Sequence, residues 1–137
     1  MTSAFVDAGA WIAMVVSQDA HHREARDFFQ QLPASIELVT SNLVLSETYT
    51  WMRYHRQPRG ATTIKTMVQE SERLNRLEVI FVTRDLHEAA WDLFTQYEDH
   101  AFSFSDCVGF VIASRQNVDF VFGFDADFRT MGFDLRP

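Results

Sequence analysis

Short apolar runs alternate with longer stretches of helical periodicity along the whole chain, and this alternation leaves few folds open. Ala4-Phe5-Val6 reads as a buried strand ending at Asp7, and Ala10 to Val16 as a helix. A second helix runs from about His21 to Leu32, with Ala25, Phe28, Phe29 and Leu32 on one face, and Pro33 stops it. Glu37 to Thr40 is a strand, and Asn42 is placed to cap a helix from Leu43 to about His55. Pro58-Arg59-Gly60 breaks the chain before a helix over Ala61 to Leu74. Val79 to Val82 is a strand, Arg84 to Tyr97 a helix, and Ser105 caps a helix from Asp106 to about Arg115. Asp119 to Phe122 is a strand, Asp125 to Phe128 a turn or short helix, and Phe133 to Leu135 a last strand. Strands separated by helices imply an α/β fold, with a parallel sheet covered on both faces. In such folds the working side chains gather beyond the carboxyl ends of the strands. Asp7 and Asp125 fall just past strand ends, and Glu47 and Asp106 fall in first turns of helices that can point at the same rim.

Composition narrows the class. A chain of 137 residues, 47% of them hydrophobic, has material for one domain over 1–137 with a sizeable core. The one cysteine, Cys107, can make neither an internal disulfide nor a thiolate metal cage, and it reads as a small core residue rather than a nucleophile. The apolar N-terminus lacks a basic leading segment and is interrupted by Asp7, unlike a signal peptide. No uncharged apolar run reaches the roughly 18 residues of a membrane span, so a cytoplasmic location is expected. The net charge of -7 argues against a module that binds nucleic acid through phosphate contacts alone. It leaves room for an enzyme whose metal ions supply local positive charge.

Four acids stand in apolar surroundings: Phe5-Val6-Asp7, Leu45-Ser46-Glu47-Thr48, Phe104-Ser105-Asp106-Cys107 and Phe124-Asp125-Ala126-Asp127-Phe128. Singly, Asp7 and Asp106 have ordinary readings at helix starts, and Asp125 at a turn. Glu47, among Leu43, Val44, Leu45 and Trp51, is expected to be costly unless paired or ligating. Together, several carboxylates at one sheet edge repel each other, and a divalent ion removes that penalty. Ligation by oxygen alone suits Mg²⁺ or Mn²⁺.

The order Asp7, Glu47, Asp106, Asp125, in these contexts and spacings, resembles the PIN domain, and the length and local words resemble the VapC toxins of toxin–antitoxin pairs. Supporting matches are Phe5-Val6-Asp7 followed by Trp11-Ile12-Ala13, then Asp19, His22 and Ala25, Ser41-Asn42-x-Val44-x-x-Glu47, Phe102 to Asp106, and Phe124-Asp125-x-Asp127-Phe128. The likeness spans essentially the whole chain. It implies a three-layer α/β/α sandwich around a parallel sheet of about five strands. It also implies a Mg²⁺- or Mn²⁺-dependent endoribonuclease whose metal-site and catalytic acids are Asp7, Glu47, Asp106 and Asp125. Ser105 and Asp127 are candidates for support. The implied partners are an RNA substrate, a VapB-like antitoxin and a second copy in a homodimer. Where relatives often carry Ser or Thr, this chain has Ala8 and Gly123, so two hydroxyls that would support the acids are missing.

Other features have simpler readings. The stretch Tyr49, Trp51, Arg53, Tyr54, His55, Arg56 and Arg59 reads first as a helix with core aromatics and a solvated arginine face, its outer arginines being candidates for RNA contacts. His21 and His22 read as structural or surface residues. A receiver-like phosphotransfer domain would need an acidic pair at the first strand and a lysine after a late one. Here Asp7 stands alone and the single lysine is Lys65. A non-catalytic PIN-like binding module is the other alternative, and it would have no need of four mutually repelling acids.

Overall fold

The computed structural model describes residues 2–137. Five strands, β1 (Ser3–Val6), β2 (Glu37–Ser41), β3 (Leu77–Ile80), β4 (Phe120–Phe122) and β5 (Leu135–Arg136), form one sheet in the order β3-β2-β1-β4-β5. Every pairing is parallel, as the alternation requires. The connecting helices are α1 (Ala8–Val15), α2 (His22–Gln31), α3 (Asn42–Tyr54), α4 (Pro58–Arg73), α5 (Arg84–Gln96), α6 (Phe104–Arg115) and α7 (Asp127–Thr130).

Two consecutive crossovers carry the chain outward from β1 to β2 to β3, and the next returns it past β1 to β4. Right-handed crossovers therefore set α1–α4 on one face and α5–α6 on the other. The side chains agree. Phe28 of α2 packs against Phe120 and Phe122, at 5.9 and 5.0 Å between ring centres. Phe5, which alternates to the opposite face, meets Phe128 at 6.0 Å and lies under α6, where a Cβ on Gly109 would stand 3.5 Å from its ring. Thr40 is the main polar group inside. Its hydroxyl donates to the Val6 carbonyl at 2.9 Å and accepts from the Trp11 indole at 3.4 Å, tying β2, β1 and α1 together where the site begins.

Several boundaries differ from expectation, each for a local reason. The helix after β2 is capped by Ser41, whose hydroxyl accepts from the Val44 amide, and not by Asn42. Asn42 instead accepts from the Val82 amide at 2.9 Å and pins the start of α3 to the end of β3. Likewise Ser103 and not Ser105 caps α6, in a capping box completed by Asp106. Pro58-Arg59-Gly60 is the first turn of α4 rather than a break, because proline fits the first helical position, where no amide is needed. A Cβ on Gly60 would come within 2.8 Å of the Met52 sulfur, so glycine there lets α3 and α4 meet closely. β3 starts two residues earlier than expected, at Leu77, and the last strand is Leu135–Arg136 rather than Phe133–Leu135.

Candidate metal centre

Five acids arrive at the carboxyl edge from four segments. Asp7 ends β1, and its amide donates to the Phe122 carbonyl at 3.0 Å, which fixes it beside the end of β4. It stands at the N-cap position of α1 but makes no side-chain capping bond, so the ordinary reading of this acid fails. Asp106 lies in the first turn of α6. Its Oδ2 accepts from the Ser103 amide at 3.0 Å, and its own amide donates to the Ser103 hydroxyl at 2.9 Å. Asp125 follows β4, and its Oδ1 accepts from the Asp127 amide at 2.9 Å, a turn that holds both acids. Carboxylate oxygens of Asp106, Asp125 and Asp127 all lie within 4.8 Å of one another.

Glu47 reaches this group from α3. The expectation that it would be costly in apolar surroundings is not met: the residue is exposed, because the helix turns it away from Val44 and Leu45. What joins it to the centre is the Ser105 hydroxyl, which donates to its Oε1 at 3.2 Å. Ser105 is therefore a link between α6 and α3 rather than a cap. Asp127 is partly exposed, and its carboxylate lies close to those of Asp106 and Asp125.

The electrostatics record the crowding. Burial pushes the Asp7 carboxyl up to about 7, against an opposing bond from the Ala8 amide, and the charges of Glu47, Asp106 and Asp125 add to the rise. Glu47, exposed over the residue as a whole, is raised first by partial desolvation of its carboxylate among the other acids, with Ser105 opposing and Asp106 and Asp125 adding. Asp106 is raised by burial and by Asp125, while Ser103 opposes. Asp127 is raised by burial and then by Asp125 and Asp106, with His100 acting the other way. Among the described residues, no ion pair engages any of these five acids. A cluster of oxygen donors with raised proton affinity and no cationic side chain fits a hard divalent ion.

The rim holds residues that sequence reasoning did not place. The His21 ring stacks on Phe124, one residue before Asp125, at 4.2 Å and 9°. His100 stacks on Phe102 at 4.9 Å and acts on Asp127 through its charge. Both depend on contacts between distant segments, for which no local word exists. Cys107 is fully buried, and its thiol is pushed up by burial and by Asp106, the surroundings of a core residue rather than of a nucleophile. Gly123 borders Asp7 directly: a Cβ there would stand 3.2 Å from the Asp7 Cβ and 3.7 Å from its Oδ2.

Comparison with known proteins gives a consistent answer. The family described as PIN domain matches residues 4–134. The 23S rRNA-specific endonuclease VapC20 of Mycobacterium tuberculosis is 31% identical over 137 residues, covering 97% of this chain and 98% of that protein. The crystal structure of VapC20, described as a Sarcin-Ricin loop cleaving toxin, superposes with a TM-score of 0.84 at 30% identity over 98% of this chain and 99% of that one. VapBC2 from Rickettsia felis, bound to a DNA fragment from its promoter, shares the fold, with a TM-score of 0.72 at 13% identity and 98% of each chain covered.

Proposed function

The chain belongs to the PIN-domain family, and we propose that it is a VapC-type toxin, an endoribonuclease that hydrolyses RNA phosphodiesters at a Mg²⁺ or Mn²⁺ centre. The observation that carries this reading is the gathering of Asp106, Asp125 and Asp127 beside a half-buried Asp7 whose carboxyl is pushed up to about 7, with no ion pair among the described residues to balance them. Asp7, Glu47, Asp106 and Asp125 are the proposed ligands and catalytic acids, with Asp127 as a fifth acid at the same centre. These residues would hold a divalent ion, whose chemistry there would be to neutralise the acids, acidify water and offset charge on the phosphate.

The chain's own groups do the rest by position. Ser105 holds Glu47, the capping box holds Asp106, and the Asp127 amide holds Asp125, so three of the acids are fixed before RNA arrives. The raised Asp7 carboxyl belongs to the metal-free protein, where a proton relieves the crowding; an ion ligated by Asp7 would displace that proton and hold the carboxylate ionised. By family resemblance the products carry a 5′-phosphate and a 3′-hydroxyl.

The similarity to VapC20 makes 23S ribosomal RNA the first substrate to test. Similar solved structures include toxin–antitoxin assemblies, which supports a VapB-like antitoxin as partner. We place the protein in the cytoplasm as a homodimer, with residues 1–137 as a single PIN domain. No helix among the described residues is long and apolar enough to cross a membrane.

The test is mapped cleavage of total RNA by pure protein. Discrete cuts should appear with Mn²⁺, vanish in EDTA and return when metal is restored. Cleavage that persists in excess chelator would overturn the metal mechanism. A protein that cuts nothing, and is harmless when expressed without its neighbour gene, would overturn the toxin reading.

A further inference from the structure

From Thr48 to Gln69 the chain carries Arg53, Arg56, Arg59 and Lys65 and not one acid, in a protein whose net charge is -7. In sequence alone an ordinary solvated helix face accounts for these cations. The structure adds three observations that this account does not cover.

The first is position. α3 starts at the carboxyl edge of the sheet, α4 ends at the opposite edge, and only His55–Gln57 join them. At about 1.5 Å per residue, α3 and α4 are roughly 20 and 24 Å long, while β2 spans only about 13–17 Å. The length of α3 alone carries the tip of the hairpin roughly 20 Å from the point where that helix leaves the edge. Glu47, the acid nearest the tip, lies six residues before Arg53 and nine before Arg56, about 9 and 14 Å along the chain's helical rise, so it offsets these cations only in part.

The second is that two of the arginines sit where folding gains nothing from them. Three non-glycine residues have positive φ, and each follows the end of a helix: Asn75 (57°), Asn117 (51°) and Arg56 (55°). Asparagine tolerates this conformation and arginine does not. Arg59 lies in the first turn of α4, where the helix dipole disfavours a cation, and that turn holds no acid. The third is that the tip is free. No ion pair among the described residues uses Arg53, Arg56, Arg59 or Lys65, and Tyr54 between them is 79% exposed, more than Leu74, Phe81 or Trp91.

We propose that the tip of the α3–α4 hairpin, with Arg53, Arg56 and Arg59 around Tyr54, is an RNA-docking surface that grips the strand at a distance from the cut. The arginines meet backbone phosphates and Tyr54 offers a face on which a base stacks. This rests on the ribonuclease reading above and adds where specificity for long RNA arises. At about 3.4 Å per stacked nucleotide, roughly six nucleotides separate the scissile bond from the tip. The tip therefore acts on long substrates and not on short ones.

The experiment compares the parent with a triple variant, Arg53→Ala, Arg56→Asn, Arg59→Ala, and with Tyr54→Ala. On an RNA stem-loop with long single-stranded flanks, KM should rise about 10- to 100-fold in the triple variant with kcat within about 2-fold, and the dependence of log KM on log salt should flatten by about 2, at roughly 0.7 per lost phosphate contact. Tyr54→Ala should raise KM several-fold without altering the salt dependence. On a substrate trimmed to about three nucleotides on either side of the cut, parent and variants should coincide. Arg56→Asn alone should melt at or above the parent, which separates weaker docking from a damaged fold. Unchanged KM and salt slope on long RNA would overturn the proposal. So would an equal loss on long and trimmed substrates, or a variant that loses only antitoxin binding. If the parent cuts no RNA, the nuclease reading fails, and the same variants compared by RNA binding still decide the tip. A parent that also binds no RNA overturns both.

Discussion

Asp7→Asn is the sharpest probe of the centre, because it should abolish metal-dependent cleavage and yet make the metal-free protein more stable. The Asp7 carboxyl titrates at about 7 in the fold against 3.8 when unperturbed. Between those values the folded state holds a proton that the unfolded chain has released. The contribution of this group to stability is therefore full below about pH 4, falls as pH rises, and levels off above about pH 7. Roughly three units at about 1.36 kcal/mol each set a ceiling near 4 kcal/mol, and relaxation and entering water leave an expected loss of about 1–3 kcal/mol. Asparagine has nearly the same shape, stays neutral, and its amide oxygen can still accept from Ala8. With an unfolding entropy of about 2.1 cal/mol/K per residue, each kcal/mol moves Tm by roughly 3–4 °C in a chain this long. Scanning calorimetry in EDTA should find the two proteins within about 1 °C of each other near pH 4, and the variant roughly 3–10 °C higher at pH 8. With saturating Mn²⁺ the order should reverse, since only the intact site gains binding energy. A gap that does not change with pH, or a variant that melts below the parent at pH 8, would refute the argument that Asp7 is a buried acid held at a cost.

Three further outcomes follow from the same geometry. Asp106→Asn keeps an oxygen for the Ser103 amide, so it should melt in EDTA no lower than the parent, gain less from Mn²⁺, and lose roughly 100-fold or more in RNA cleavage rate; a large drop in Tm would reassign Asp106 to capping alone. Gly123→Ser should place a hydroxyl beside Asp7 Oδ2 at the cost of a slight shift from a 3.2 Å contact, lowering the Asp7 carboxyl and tightening Mn²⁺ binding several-fold by calorimetric titration; weaker binding would mean that crowding dominates. Thr40→Val removes the partner of both the Val6 carbonyl and the Trp11 indole and should cost about 1–3 kcal/mol in urea unfolding, with the rate per folded molecule unchanged.

How much of this was legible in the sequence depends on the range of the interaction involved. The alternation of Ala4-Phe5-Val6, Glu37–Thr40 and their helices reports buried strands in a parallel sheet, because a strand covered on both faces must be apolar throughout. The rim acids are legible for the same reason: a charged residue just past such a run stands where the covering helices leave an opening. Errors arise where adjacent residues diverge in space. Glu47 has Val44 and Leu45 as near neighbours in sequence, but a helix advances about 100° per residue and carries it out to solvent. Ser105 adjoins Asp106 and reads as its cap, yet a cap must lie three residues before the acid it exchanges bonds with, and that residue is Ser103. Asp127 reads as peripheral because only the turn closed by its own amide on Asp125 swings it inward. The hairpin of α3 and α4 is hidden by Pro58, which opens a helix as readily as it ends one.

The first strand of the chain lies at the middle of the sheet, between the second and the fourth. β4 is made from residues 120–122, and three of the five acids lie at or after Asp106. During synthesis the ribosome therefore extrudes most of this protein before the seam between β1 and β4 can close. Until then Asp7 has no neighbour at Phe122, and the acids that would share an ion with it have not been made. The edge that gathers these acids therefore comes into being only with the last segment of the chain.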